Sequence, residues 1–182
     1  MDETARSELL TIARQTVTAA VTNQPRPAPQ ATHPDLEQPC GAFVTLRTSG
    51  RLRGCIGCFE ATQPLHDVVA EMAESSARRD PRFIFDPLRP EELDDLTIEV
   101  SVLSPLERIE DPLDFELGRH GIYIKHGGAS GCFLPQVAEE TGWSKEEFLT
   151  QCASGKAGLP PDAWKDPATE VYRFTCQIIT EE

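Results

Sequence analysis

The sequence is short of positive charge, of long apolar runs and of asparagine, and each shortage excludes something. Lysine and arginine number 17 against 30 aspartate and glutamate residues, a formal net charge of −13. Such an acidic surface repels phosphate backbones, so no nucleic-acid partner is expected. No stretch approaches the roughly 18 apolar residues of a membrane helix. Met1-Asp2-Glu3 opens acidic, without the basic-then-apolar pattern of a secretory signal, and the chain is read as cytoplasmic. Asn23, the one asparagine, is followed by Gln-Pro, which leaves no glycosylation acceptor.

Familiar chemical signatures are missing too. The histidines at 33, 66, 120 and 126 show neither H-x-x-x-H nor H-E-x-x-H spacing. Around Gly155-Lys156 a phosphate-binding loop would need glycine at 150 and a hydroxyl at 157, where Thr150 and Ala157 stand. Six cysteines, at 40, 55, 58, 132, 152 and 176, are read as reduced thiols, because a cytosolic chain of this size needs no disulfide. Cys55-Ile56-Gly57-Cys58 is a C-x-x-C, but a metal knuckle wants a second close pair, and the sequence has none. In a strand, residues three apart point to opposite faces, so the two sulfurs diverge. No bound metal and no cofactor are expected.

What is present suits one domain of 182 residues, 39% hydrophobic and 26% charged. Residues 3–22 carry Leu9, Ile12, Val17 and Val21 at helical spacing. Pro25, Pro27, Pro29, Pro34 and Pro39 make 24–40 a surface connection, and the main body follows over 41–179. Residues 42–48 and 52–59 read as a hairpin through Ser49-Gly50. Thr62 is a candidate N-cap for a helix running to about Arg79. Residues 80–92 read as an ordered loop anchored by Phe83, Ile84 and Phe85. In 96–103, Leu96, Ile98, Val100 and Val102 alternate onto one face. Residues 121–125 and 131–134 flank a turn, and a helix starts near Pro135. Ser144 and Glu147 form a capping box for a helix that stops at Gly155. Residues 170–179 alternate again, with Tyr172, Phe174, Cys176 and Ile178 expected inward. The fold class is α+β, with mainly antiparallel pairing and flanking helices.

The stretch Leu52-Arg53-Gly54-Cys55-Ile56-Gly57 stands out. Two glycines inside a strand give up packing unless a ligand or another backbone approaches closely. Residues 47–89 hold seven arginines and six carboxylates, a net +1, whereas the remainder carries −14. A local pocket for a small anion fits that contrast, and so does a tight hairpin with solvated arginines. Glu99 sits among β-branched residues; on a covered face it would be a semi-buried carboxylate, on an open one a surface charge. His120, in Gly118-Arg119-His120-Gly121, is a turn histidine that could border the same site.

LRGCIG at 52–57 resembles the hallmark of the AMMECR-one domain family. The likeness continues through DPRF at 80–83, EELDDLTIEVSVLSPLE at 91–107, GRHGIYI at 118–124, FLPQVAEETGWSKEEFL at 133–149 and KAGLPPDAW at 156–164. Prokaryotic members of this kind are called AmmeMemoRadiSam system protein A. They are encoded with a Memo-like protein and a radical SAM protein, which the resemblance therefore implies as partners. It also implies a larger lobe with a mainly antiparallel sheet, a smaller second lobe, and LRGCIG near a cleft. It supplies no reaction. Carried over by position, the matched polar residues are Arg53, Cys55, Glu99 and His120. The expected roles are Cys55 as nucleophile or ligand contact, Glu99 as base or orienting group, His120 as a third catalytic group and Arg53 as an anion clamp. Arg53, with Gly54 and Gly57, is expected to bind the ligand. A non-catalytic module that docks a partner or presents a substrate is the alternative. Arg53 and Cys55, two apart in one strand, share a face, and with Glu99 and His120 they are expected to converge on one cleft.

Overall fold

Asp2 starts the chain's first helix by accepting the Ala5 N–H at 3.0 Å, which satisfies one of the four orphan donors of a helix start. The elements that follow, in a computed structural model that describes residues 1–59 and 61–181, are α1 (Glu3–Val21), β1 (Ala42–Thr48), β2 (Arg51–Cys58), α2 (Leu65–Arg78), β3 (Leu96–Leu103) and β4 (Glu107–Ile109). They continue as β5 (Gly121–His126), β6 (Ala129–Phe133), α3 (Gln136–Thr141), α4 (Lys145–Gln151), β7 (Glu170–Phe174) and β8 (Cys176–Thr180). The chain divides into two compact units, Met1–Leu103 with Gln177–Glu182, and Ser104–Cys176.

In the first unit the sheet order is β2-β1-β3-β8, with β1 antiparallel to both neighbours. Strand alternation puts Val44, Leu46, Ile98 and Val100 on one face, where they are buried with Leu9, Ala13 and Val17 of α1 and Val69 and Ala73 of α2. The expected stripe Leu96, Ile98, Val100 and Val102 is this core. Residues 24–40 run over the surface, as expected, but are tied down. Glu8 accepts the N–H groups of Thr32 and His33, and Leu36 is fully buried. Helix α2 starts at Leu65 rather than on Thr62, because its first N–H donates to the Gln38 carbonyl of this connection.

Ser76 of α2 approaches the sheet most closely. Its hydroxyl accepts the Ile56 N–H at 2.9 Å and donates to the Val44 carbonyl at 2.8 Å. Val44 and Ile56 face each other across the β1/β2 ladder, so a helix hydroxyl bridges two strands. Gly54 permits this: a Cβ there would stand 2.1 Å from the Ser76 carbonyl oxygen. At Gly57 a Cβ would meet the Phe43 ring at 2.3 Å. The close approach predicted for both glycines is made by protein.

The loop after α2 departs from expectation. Phe83 is half-buried and Leu88 is buried, but Ile84 is 58% and Phe85 100% exposed. Only one of the three predicted anchors points inward. The loop turns through Pro81–Phe83, and its inward places are taken by Phe83 and Leu88.

The second unit carries an antiparallel sheet of order β4-β7-β5-β6. Ile122, Ile124, Phe133 and Val171 face a core completed by Phe148, Leu149 and Trp164. Ser144 and Glu147 form the predicted capping box, each side chain bonding the other's backbone N–H. Helix α4 ends at Gln151 and passes into a single π turn, Cys152–Lys156, which closes where Gly155 foretold a stop. The predicted strand 170–179 is two strands in different sheets, separated at Thr175. That break shifts the alternation. Val171, Phe174 and Ile179 are buried, whereas Tyr172 and Cys176 are half-buried and Ile178 is exposed.

Val100→Ala is expected to lower stability by about 1–3 kcal/mol, the usual cost of an unfilled core methyl pair. Gly54→Ala, which must push back a helix, is expected to cost about as much or more. Gly155→Ala, whose Cβ would meet open space, serves as the control and is expected to be near neutral. Urea unfolding of the three variants checks the order, and equal midpoints for Gly54→Ala and Gly155→Ala would refute it.

Candidate functional site

The face of the first sheet opposite the helices receives the other residues of β1, namely Phe43, Thr45 and Arg47. Thr45 pairs with Cys55 on β2 and with Glu99 on β3. The three side chains therefore form one row across three strands, thiol, hydroxyl, carboxylate, with neighbours about 5 Å apart at Cβ. The Thr45 hydroxyl donates to the Cys55 sulfur at 3.3 Å. One step along, Phe43 lies between Gly57 and Ser101. Ser101 is 0% exposed, and its Oγ has no hydrogen-bond partner among the described residues. A buried hydroxyl without a partner costs roughly 1–3 kcal/mol, and it sits on the same face as Glu99, two residues away.

One step the other way, Arg47 pairs with Thr97 and is exposed, with no ion pair among the described residues. Arg47 is a diagonal neighbour of Glu99, so the face offers a cation and a carboxylate beside the thiol. Sequence reasoning counted Arg47 within the arginine cluster and gave it no role. Its parity with Thr45 was the signal.

Arg53 is placed differently. Leu46 pairs with Gly54 but Arg47 with Leu52, which leaves Arg53 as the extra residue of a bulge. The rule that residues two apart share a face is interrupted there, so Arg53 does not join the row of Cys55. Its guanidinium, 3% exposed, donates to Glu92 at 2.8 and 3.0 Å, to Asp86 at 3.2 Å and to the Pro87 carbonyl at 3.0 Å. It also lies 5.8 Å over the Phe83 ring. The expected anion clamp is a cation already enclosed by its own loop's oxygens. The hydrogen bond from Arg53, partly offset by burial, holds the Glu92 carboxyl below its ordinary value.

The DPRF block grips the Cys55 peptide from the free edge of β2. Asp80, buried, accepts the Cys55 N–H at 2.9 Å, and Arg82 donates to the Cys55 carbonyl at 3.3 Å. Arg82 also donates to Asp80 at 2.6 and 2.9 Å. Burial alone would raise the Asp80 carboxyl, and the bonds from Arg82 and Cys55 outweigh it and hold the group below its ordinary value. Cys58, by contrast, packs on the helix side of the sheet, so the two thiols of the C-x-x-C face opposite ways. Among the described residues no group of three or more His, Cys, Asp or Glu side chains is placed to hold a metal ion. No helix among them is long and apolar enough to cross a membrane.

His120 belongs to the second unit, at the start of β5. Its Nδ1 accepts the Glu116 N–H at 3.0 Å, which puts the proton of the neutral ring on Nε2. Burial, then the charges of Arg119 and Arg173, push its pKa down. The second sheet has a row of its own, unforeseen in the sequence. Arg108, Tyr172, Tyr123 and Cys132 line up across β4, β7, β5 and β6, with the tyrosine ring centroids 6.1 Å apart. Thus Cys55 and Glu99 come together through Thr45. Arg53 turns to the loop, and His120 is held by the turn before β5.

A family model described as AMMECR1 matches residues 10–179. A protein of Methanothermobacter thermautotrophicus is 51% identical over 148 residues, which is 78% of this chain and 76% of that one. Protein TK0174 of Thermococcus kodakarensis is 47% identical over 164 residues, 85% of this chain and 78% of its own. The crystal structure of the uncharacterised protein PH0010 from Pyrococcus horikoshii superposes with a TM-score of 0.88 at 41% identity, covering 100% of this chain and 93% of that one.

The Arg53–Glu92 pair makes a pH prediction. A carboxyl lowered on folding stabilises fully above its ordinary value of 4.5, and that stability is lost as pH falls through the lower folded value. Glu92→Gln is expected to be less stable than the parent at pH 7, with the gap narrowing as pH falls below 4.5 and smaller at pH 3 than at pH 4.5. Urea midpoints at the three pH values measure this, and a gap that stays constant would contradict it.

Proposed function

The chain belongs to the AMMECR1 family, and from that premise we propose that it is a binding component that holds a small polar ligand on the Cys55–Thr45–Glu99 face. It would serve a pathway shared with a Memo-like protein and a radical SAM protein. The observation that carries this reading is the row itself. A sheet face set with a thiol, a hydroxyl and a carboxylate, beside a buried hydroxyl that lacks a partner, gives up packing that apolar residues would supply. Glu99 suits a ligand's N–H or O–H donors, and Arg47 suits its carbonyl or acidic group. Cys55 is held through its peptide by Asp80 and Arg82, and its sulfur, which takes one hydrogen bond from Thr45, serves as a contact or a nucleophile in this reading.

The second reading is a non-catalytic module that presents a partner or substrate. One observation favours it. Arg53, within LRGCIG, and Asp80, beside it, are bound to the protein's own loop and backbone rather than left for a reaction.

Incubating the purified chain with a metabolite extract of its host, washing, and identifying released molecules by mass spectrometry tests the choice. A compound enriched on the parent and reduced about tenfold or more by Glu99→Gln supports the ligand reading, since a charged hydrogen bond contributes on that scale. Arg51→Gln, outside the face, is expected to retain it. Enrichment of nothing, together with a complex with either proposed partner that survives Cys55→Ala, would instead establish the adaptor.

A further inference from the structure

The two most exposed large apolar side chains among the described residues are adjacent, on a loop braced by many contacts. Phe85 is fully exposed, and Ile84 beside it is largely so. Exposed apolar residues scattered singly are ordinary, but an adjacent pair on a fixed turn is not. The brace is extensive. Asp80 caps the turn Pro81–Phe83 through the Arg82 N–H at 3.1 Å. Phe83 lies beneath two guanidinium groups, Arg53 at 5.8 Å and Arg82 at 5.6 Å. Phe83 and Asp86 donate their N–H groups to Asp80 and Phe83. Arg53 holds Asp86, Pro87 and Glu92 at once. Leu88 is buried beyond them. A loop needing only to cross the surface would not require a buried arginine and three prolines. Fixing the turn in advance removes the ordering cost that an aromatic anchor otherwise brings to an interface.

The surroundings specify what the anchor meets. The Asp86 carboxylate, next to Phe85 in sequence, is shared by Arg51, Arg53 and Arg89. Side chains of Arg51, Arg82 and Arg89 are 72%, 52% and 67% exposed, whereas Asp80 is buried and Glu92 mostly so. Among the accessible charges of this rim the three arginines outnumber the carboxylates of Asp86, 42% exposed, and Glu91, a local cationic excess on a chain whose net charge is −13. From this we infer that Ile84 and Phe85 dock into an apolar pocket on a partner protein whose rim carries carboxylates. An aromatic residue ringed by arginines is the composition of an interface hot spot. A second copy meeting through the same patch suits it less, because it would set one arginine rim against another. An anionic lipid surface suits it less, because two side chains bury too little apolar area to anchor there. This inference is independent of the ligand reading, since the loop tip shares no side chain with the Cys55–Thr45–Glu99 row.

The test places a photo-crosslinking phenylalanine analogue at position 85 of the full chain in its host. The protein joined to it is identified and then purified. Its binding to the parent chain is measured by calorimetry against Phe85→Ser and against the double variant Arg51→Gln, Arg89→Gln. The expected losses are roughly 30-fold or more for Phe85→Ser and about 3–10-fold for the arginine pair, the latter shrinking in high salt. Phe85→Ser should leave the urea midpoint unchanged, because the side chain packs on nothing. Adducts only with a second copy, accompanied by a Phe85-dependent dimer in sedimentation, would overturn the inference. Phe85-dependent pelleting with phosphatidylglycerol vesicles would overturn it too, as would no adduct or equal affinity of parent and Phe85→Ser for the purified protein.

Discussion

Ser76 makes a bond that neither a helix nor a sheet makes on its own. Its hydroxyl joins Ile56 N–H to Val44 C=O, which draws α2 against the β1/β2 ladder until only glycine fits at position 54. From that contact the rest of the LRGCIG strand follows. The bulge at Arg53 lets the strand adjust its register beside the helix, and it sends Arg53 outward to Glu92 and Asp86. The next peptide, at Cys55, is taken by Asp80 and Arg82. With backbone and edge fixed from outside, the Cys55 side chain is left to the opposite face, beside Thr45. Two sequence blocks about 25 residues apart, LRGCIG and DPRF, are thus one physical object.

This arrangement separates charge that holds the fold from charge available to a ligand. Arg53, Asp80 and Glu92 are enclosed and satisfied, and charged groups so placed are expensive to leave unpaired and hard to recruit. Arg47 and Glu99 are the opposite case. Each is at least partly exposed and on the face of Thr45, and neither is consumed by an ion pair among the described residues. Burial, more than residue type, assigns the roles.

Much of this was legible in the sequence because it depends on local periodicity and local caps. The stripe Leu96–Val102, the capping box at Ser144 and the divergence of Cys55 and Cys58 all rest on strand or helix geometry alone, and the structure has each of them. Reading failed where geometry depended on distant contacts. The bulge at Arg53 is invisible without its partner strand, so parity wrongly joined Arg53 to Cys55. The chain changes sheets at Thr175, which no local signal marks, so one alternating run hid two strands. Apolar residues in a loop usually point inward, but here the inward places are held by Phe83 and Leu88, which leaves Ile84 and Phe85 outside. Glu99 and Cys55 were named separately from motif and environment, and Thr45, the residue that joins them, was missed because a threonine in a strand is unremarkable until its neighbours are known.

The central claim is that the Cys55–Thr45–Glu99 face receives a ligand, and the cysteine itself can report on it. The rate of iodoacetamide alkylation at each cysteine can be followed by peptide mass spectrometry, with and without the small-molecule fraction of a host extract. Occupancy of the face predicts that this fraction slows Cys55 several-fold while Cys58, on the helix side, keeps its rate, and that Glu99→Gln abolishes the protection. Equal Cys55 rates with and without the fraction, or protection that persists in Glu99→Gln, would contradict the account.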